Sequence, residues 1–152
     1  MTATGLNLKV LGGIQVVLDG AAVDLSKAFL YKGMMLSDVP NLTAALGYTN
    51  ASWTLKSELT AQYVCRLLNH MDTQGYAWCV PTWRDASIGE EPAISLTSGY
   101  VQRASAILPK QGSKRPWRLH QNYALDMAAL TFGAIEDGTM VFGRSGPDQQ
   151  SA

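Results

Sequence analysis

A short apolar run, Leu42-Thr43-Ala44-Ala45-Leu46, ends at Gly47 and passes through Tyr48-Thr49-Asn50-Ala51-Ser52-Trp53 straight into an amphipathic segment. A helix start presents backbone N–H groups without intrahelical partners and a partial positive charge, so such a turn can hold an electron-rich oxygen. In open α/β sheets, ligands bind outside the carboxyl ends of the strands. On physical grounds this junction is the ligand-binding position the chain offers best. An ordinary strand-to-helix connection with Ser or Thr caps uses the same residue types, and on pattern alone it is the commoner arrangement.

Other reactive residues are scattered. The two histidines, His70 and His120, stand in no metal-ligand or catalytic frame, and His120 reads as a surface or hydrogen-bonded structural residue. Cys65 and Cys79 are too far apart for a Cys-x-x-Cys motif, and no metal site is expected. Cys65 falls in the apolar helical pattern and is expected to be a buried free thiol. The basic stretch Lys110-Gln111-Gly112-Ser113-Lys114-Arg115-Pro116-Trp117-Arg118 could grip a phosphate or a single strand beside a stacking tryptophan. A solvated loop is the simpler reading, because the chain has 12 basic and 12 acidic residues and no net charge.

The elements that must position these residues are unevenly legible. Leu55, Leu59, Tyr63, Leu67 and Met71 recur every four residues, with Val64 and Leu68 widening the stripe, which predicts a long helix. Ser52 or Thr54 can cap its start, Gly75 its end, and His70 lies in its last turn. Upstream, Ile14 to Leu18 followed by Asp19-Gly20 predicts a hairpin whose returning arm is Val23 to Leu25. The Leu42–Leu46 run lacks alternation and is expected to be a strand covered on both faces, as in a parallel sheet. Downstream, a short strand over Tyr76 to Val80 is expected, then a loop over 82–97. Tyr100 to Leu108 and Asn122 to Leu130 read as helices, and Ile135 to Phe142 as a hairpin around Asp137-Gly138.

The bulk numbers set outer bounds. A length of 152 residues suits one domain with a core, and 47% hydrophobic with 16% charged residues is a globular composition. Neutral net charge gives no reason to expect nucleic acid or an anionic membrane as partner. No run is long and apolar enough to span a bilayer, and the N-terminus lacks the pattern of a signal peptide. A reducing, cytoplasmic setting is the expectation.

The stretch Lys32-Gly33-Met34-Met35-Leu36-Ser37-Asp38-Val39-Pro40-Asn41-Leu42, followed by Gly47-Tyr48-Thr49-Asn50-Ala51-Ser52-Trp53-Thr54-Leu55-Lys56, resembles the late FAD-domain segment of flavin-containing monooxygenases of Baeyer–Villiger type. The wording is most similar to the subgroup that includes the ethionamide-activating monooxygenase. Thr2-Ala3-Thr4-Gly5 resembles the family's Ala-Thr-Gly motif, where the chain returns to the FAD domain. Leu108-Pro109-Lys110-Gln111-Gly112-Ser113, Pro116-Trp117-Arg118-Leu119 and Gln121-Asn122-Tyr123 resemble the subgroup's C-terminal segment. The similarity runs from Thr2 to about Phe142.

What this resemblance implies is an α/β fold: the C-terminal portion of a Rossmann-like FAD-binding domain plus a less regular α+β segment. It implies one incomplete domain over 1–152, divided into a strand-rich part (1–47), a ligand-facing turn and long helix (48–75) and a C-terminal segment (76–152). Thr4, Gly5, Gly47, Tyr48, Thr49, Asn50, Ala51 and Ser52 would contact cofactor, with Trp53 at the substrate pocket. Trp117 would belong to a mobile loop that closes over NADPH. The implied reaction uses FAD and NADPH to insert oxygen beside a ketone carbonyl or to oxygenate a sulfur. Both Gly-x-Gly-x-x-Gly turns and the family's Phe-x-Gly-x-x-x-His-x-x-x-Trp signature are missing from the sequence. The chain is therefore expected to need a missing N-terminal FAD- and NADPH-binding portion, to be inactive alone, and to expose apolar surface around Met34, Met35 and Leu42 to Leu46. The alternative is a stand-alone α+β binding or interaction module that buries those residues and ignores flavin.

Overall fold

The β-forming half of the chain is built from tight turns. Asp19 and Gly20 both take positive φ, 51° and 79°, which matches the twist a two-residue hairpin needs. They join β1 (Val17–Leu18) to β2 (Ala21–Ala22). The returning arm therefore lies earlier than Val23 to Leu25, and Leu25 opens a short 3-10 turn instead. Lys32 and Gly33 also take positive φ, 50° and 71°, in the three-residue loop Lys32 to Met34 between β3 (Leu30–Tyr31) and β4 (Met35–Leu36). This computed structural model describes residues 9–94 and 99–144.

The β3–β4 hairpin divides the interior. Leu30 and Leu36 point into a smaller cluster with Ala28, Val39 and Ala93, whereas Phe29, Tyr31 and Met35 join the larger core. Alternating side chains on one ribbon thus serve two cores. Met34 and Met35 are each 1% exposed, so the exposed apolar surface expected at those two residues is not found.

The helix α1 runs over Trp53–Gln74. Leu59, Tyr63, Leu67 and Met71 are buried as the spacing predicts, Lys56 and Thr60 are buried with them, and Leu55 and Leu68 of the predicted stripe are exposed. Cys65 is exposed, against expectation, and Cys79 is the buried thiol. Two residues along a helix is a turn of about 200°, so a residue two beyond buried Tyr63 faces solvent. Gly75 ends the helix at φ 68°, with the Tyr76 amide donating to the Met71 carbonyl at 2.8 Å and the Gly75 amide to that of Asp72 at 3.2 Å. This is the left-handed ending that glycine adopts without penalty. No atom lies within 4 Å of a Cβ placed on Gly75, so Gly75→Ala tests backbone conformation alone. The expected loss is about 1 kcal/mol by urea unfolding, with Gly75→Asn losing less; equal stability of all three proteins would contradict the left-handed ending.

Beyond the helix, β5 (Trp78–Pro81) and β6 (Glu90–Pro92) precede α2 (Gly99–Ala104), and β7 (Lys110–Gly112) precedes α3 (Tyr123–Phe132) and β8 (Met140–Gly143). β5 pairs antiparallel with β8, and β6 with β7. The expected hairpin over 135–142 does not form: Asp137 turns the chain through its carboxylate, which accepts the Thr139 and Met140 amides, and β8 goes to β5. The segment 82–97 is not all loop, since it carries β6. The stretch 110–118 is not an exposed loop either. It begins as a strand, and Trp117, 2% exposed, lies edge-on to Phe29, Tyr31 and Trp83.

Leu42–Leu46 is the largest departure. It makes one antiparallel bridge, Met35 to Thr43, and the Ala44 amide donates to the Met34 carbonyl at 2.7 Å. Both bonds fall on the β4 side, so among the described residues the run has a neighbour on one side and is no strand between two others. All four ladders are two-stranded and antiparallel. The described chain is a small α+β arrangement with three helices, and the Rossmann-like parallel sheet is not seen in it. No described helix is long and apolar enough to cross a membrane.

Candidate functional site

The junction at the start of α1 is held from two directions. Tyr48 is buried, and its hydroxyl donates to Asp126 Oδ2 at 2.8 Å. Burial first, and then the Asp126 carboxylate, push the Tyr48 phenol well above its ordinary range, so it remains a protonated donor. Lys56, one turn into α1, reaches the same Oδ2 at 2.8 Å. Asp126 lies in the first turn of α3, whose start is capped by Asn122 Oδ1 accepting the Leu125 amide. Arg66 closes the other end of α3 by donating to the carbonyls of Leu130 and Gly133. Helix α3 is therefore clamped at both ends, and its Asp126 fixes where Tyr48 stands.

The second hold is Gln121, which sits at φ 51°. Its Oε1 accepts the Thr49 amide at 2.9 Å and the Thr49 hydroxyl at 3.1 Å, while Asn50 Nδ2 donates to its carbonyl at 3.0 Å. Gly47 lies against the Trp53 indole so closely that a Cβ there would overlap the ring. Ser52 occupies the N-cap position, but its hydroxyl bonds Thr54 Oγ1 at 2.7 Å and makes no capping bond to the backbone. The first turn of α1 thus keeps amides free for an electron-rich group. Ala51 and Ser52 are exposed, and Trp53 is 63% exposed.

Two cavities meet at Tyr48. One, of about 390 Å³, is mainly apolar, lined by Leu30, Met34, Leu36, Leu46 and Trp53 among others. The other, of about 350 Å³, is bordered by Gly47, Tyr48, Lys56 and Asp126 on one side and by Lys32 and Asp137 on the other. Lys32 and Asp137 form a second, partly buried polar group. Asp137 Oδ2 accepts Tyr31 Oη at 2.6 Å and Lys32 Nζ at 3.0 Å, and Tyr63 Oη lies 3.2 Å from Lys32 Nζ. Burial raises the Asp137 carboxyl, but the Tyr31 hydroxyl, Lys32 and the Thr139 amide outweigh it and hold the group below the usual carboxylate range. Burial, then Tyr63 and Asp137, push the Tyr31 phenol far up.

Of the residues singled out in the sequence, the structure brings Gly47, Tyr48, Thr49 and Trp53 to cavity walls and leaves Asn50, Ala51 and Ser52 on the adjoining turn. Thr4 and Gly5 lie outside the described residues. His120 is hydrogen-bonded, its Nε2 accepting Arg115 Nε at 2.8 Å. Trp117 is a core residue and cannot serve as a mobile cover in this arrangement. The sequence does not mark the roles of Lys56, Gln121 and Asp126, since Asp126 stands 70 positions from the lysine it pairs with and no local spacing joins them.

The chain is 47% identical over 93% of its length to the probable FAD-binding monooxygenase AlmA of Acinetobacter baylyi. It is 47% identical over 95% to the FAD-containing monooxygenase EthA of Mycobacterium tuberculosis, and 43% identical over its whole length to the putative FAD-containing monooxygenase MymA of the same species. The chain spans 29–31% of the length of these relatives. No family model matches it, and no solved structure does. The relatives bear out the resemblance read from Lys32 to Lys56.

Proposed function

This chain is homologous to a part of the FAD-containing monooxygenases, and from that premise we propose that it supplies one wall of a flavin-dependent oxygenation site. It does so together with a further polypeptide segment carrying the pyrophosphate-binding turns for FAD and NADPH. The observation that supports this most is the junction at α1: a tethered turn, a helix start whose Ser52 caps no amide, and a cleft on either side of Tyr48. These residues fit the edge of a planar, electron-rich ring. They do not fit the whole cofactor, because no Gly-x-Gly-x-x-Gly turn is present in the chain.

In this reading the bound FAD, reduced by NADPH, supplies the oxygenating chemistry on a ketone or a soft sulfur. The protein's share is positional. Amides of the first turn of α1 would hold an electron-rich edge of the ring and would favour negative charge there. Tyr48, locked by Asp126 and Lys56, fixes the height of the turn, and Gln121 holds Thr49 and Asn50 in register. Trp53 lines the apolar cleft where substrate would lie and helps to exclude water. The backbone of Thr4 and Gly5 would run beside the cofactors, and catalysis by this chain without the further segment is not expected.

The test is a chimera in which this chain replaces the homologous segment of the 47%-identical Mycobacterium tuberculosis relative, EthA. Asn50→Leu in that chimera should lower flavin occupancy or NADPH-dependent oxygen uptake by roughly tenfold, since it removes a polar anchor and places an apolar group at the ring edge. An unchanged enzyme would move the flavin away from this turn. The stand-alone module reading keeps one observation in its favour, the full burial of Met34 and Met35.

A further inference from the structure

We propose that the cavity between α1, α3 and the 115–121 loop, bordered by charged side chains, is a binding site for a dianionic phosphoryl group. The inference does not rest on where a flavin lies. Its starting point is a charge imbalance in a chain that has none overall. The cavity is bordered by four permanent cations, Lys32, Lys56, Arg115 and Arg118, and by two carboxylates, Asp126 and Asp137.

The carboxylates are already satisfied. Asp126 accepts from Lys56 and Tyr48, and Asp137 from Lys32 and Tyr31. Both lysines therefore have their counter-charges. The arginines do not. Arg115 donates its Nε to His120, and Arg118 reaches only the Ser113 carbonyl at 3.3 Å. Among the described residues neither guanidinium has a carboxylate partner. Two forked cations thus border a cavity of about 350 Å³ with an excess of two positive charges. A guanidinium presents parallel N–H donors that match phosphoryl oxygens, and two excess charges match a phosphate dianion better than a single carboxylate.

His120 supplies an internal reporter. It borders the same cavity, and burial, with Arg115 and then Arg118 and Lys56, holds its imidazole below the ordinary histidine range, while Asp126 pulls the other way. Its Nε2 accepts from Arg115, so the ring is neutral at that nitrogen. A dianion seated between the arginines offsets their charge and raises the titration point of His120. His70, the other histidine, bonds Glu136 and does not border the cavity.

The experiment is a titration of the full 152-residue chain with inorganic phosphate at constant ionic strength, following both imidazoles by NMR. Expected is a saturable change at His120 with its titration point moved up, and none at His70. Arg115→Ala and Arg118→Gln should each weaken the affinity about tenfold or more. Lys114→Ala should leave it unchanged, because Lys114 belongs to the same basic stretch but does not border the cavity. Equal effects from chloride, parallel changes at both histidines, or folded arginine variants that bind as the parent does would each overturn the site.

Discussion

Trp117→Ala is expected to lower the stability of the chain by about 3–5 kcal/mol, the loss typical of removing a buried tryptophan. Trp117 is 2% exposed and lies edge-on to three aromatic rings, Phe29 at 6.5 Å, Tyr31 at 5.6 Å and Trp83 at 5.2 Å. Phe29 and Trp83 are themselves stacked at 3.7 Å, so deletion leaves a void walled by rings that cannot collapse into it without losing each other. The backbone is tied in as well: the Gly112 amide donates to the Trp117 carbonyl and the Lys32 amide to that of Pro116. A domain of this kind is stable by only about 5–15 kcal/mol, so urea unfolding should show a large fall in midpoint. A loss below about 1 kcal/mol would mean that the ring does not pack here. It would return Trp117 to the role of a mobile cover over NADPH.

The second large effect concerns the pair that seats Tyr48. Lys56→Ala should destabilise by about 3–5 kcal/mol, because it leaves the Asp126 carboxylate half-desolvated and without its cation. The side chains are 7% and 15% exposed, so water can screen the abandoned charge only in part. Removing the whole polar set, Lys56→Met and Asp126→Leu with Tyr48→Phe, should recover much of the loss, since the charge, its counter-charge and the hydroxyl that shares the acceptor leave together. A double-mutant cycle by urea unfolding measures the coupling directly. Additive losses would show that Lys56 and Asp126 are not a functional pair. Because Tyr48 donates to the same oxygen, the single variant should also loosen the turn at Thr49 and Asn50.

How far the sequence reveals this arrangement depends on the range of the interactions. Helix α1, 22 residues long, is legible because its apolar signal recurs from Leu55 to Met71, and its glycine end because one residue type is favoured at that backbone angle. The Asp19-Gly20 hairpin is legible for the same reason. Lys56 is not, since a lysine in a helical pattern ordinarily marks the solvent side, and only the distant Asp126 makes its burial tolerable. Trp117 is hidden by its neighbours: Lys114, Arg115 and Arg118 give the segment the composition of a loop and are exposed, while the ring between them is buried. The turn signal Asp137-Gly138 predicts a local hairpin for β8. The turn is there, but its strand pairs with β5, some 60 positions away, as no local pattern can say. The run Leu42–Leu46 has the apolar composition of an interior strand, and within the described residues it has one neighbour. Composition specifies what a segment can bury, not what is present to cover it.

The same distinction governs the functional reading. Residue types mark the junction at Gly47 to Trp53, whereas the residues that fix it, Lys56, Gln121 and Asp126, come together only through the packing of α3 beside α1. The sequence resemblance names a cofactor class; the structure names the side chains that would hold the turn against it.

The most direct test of the central claim is the flavin content of the purified chimera carrying this chain, read from its visible absorbance per mole of protein. The account predicts near-stoichiometric flavin in the chimera and a clear loss with Asn50→Leu. A folded, monodisperse chimera that carries no flavin, or one whose flavin is indifferent to Asn50→Leu, would contradict it.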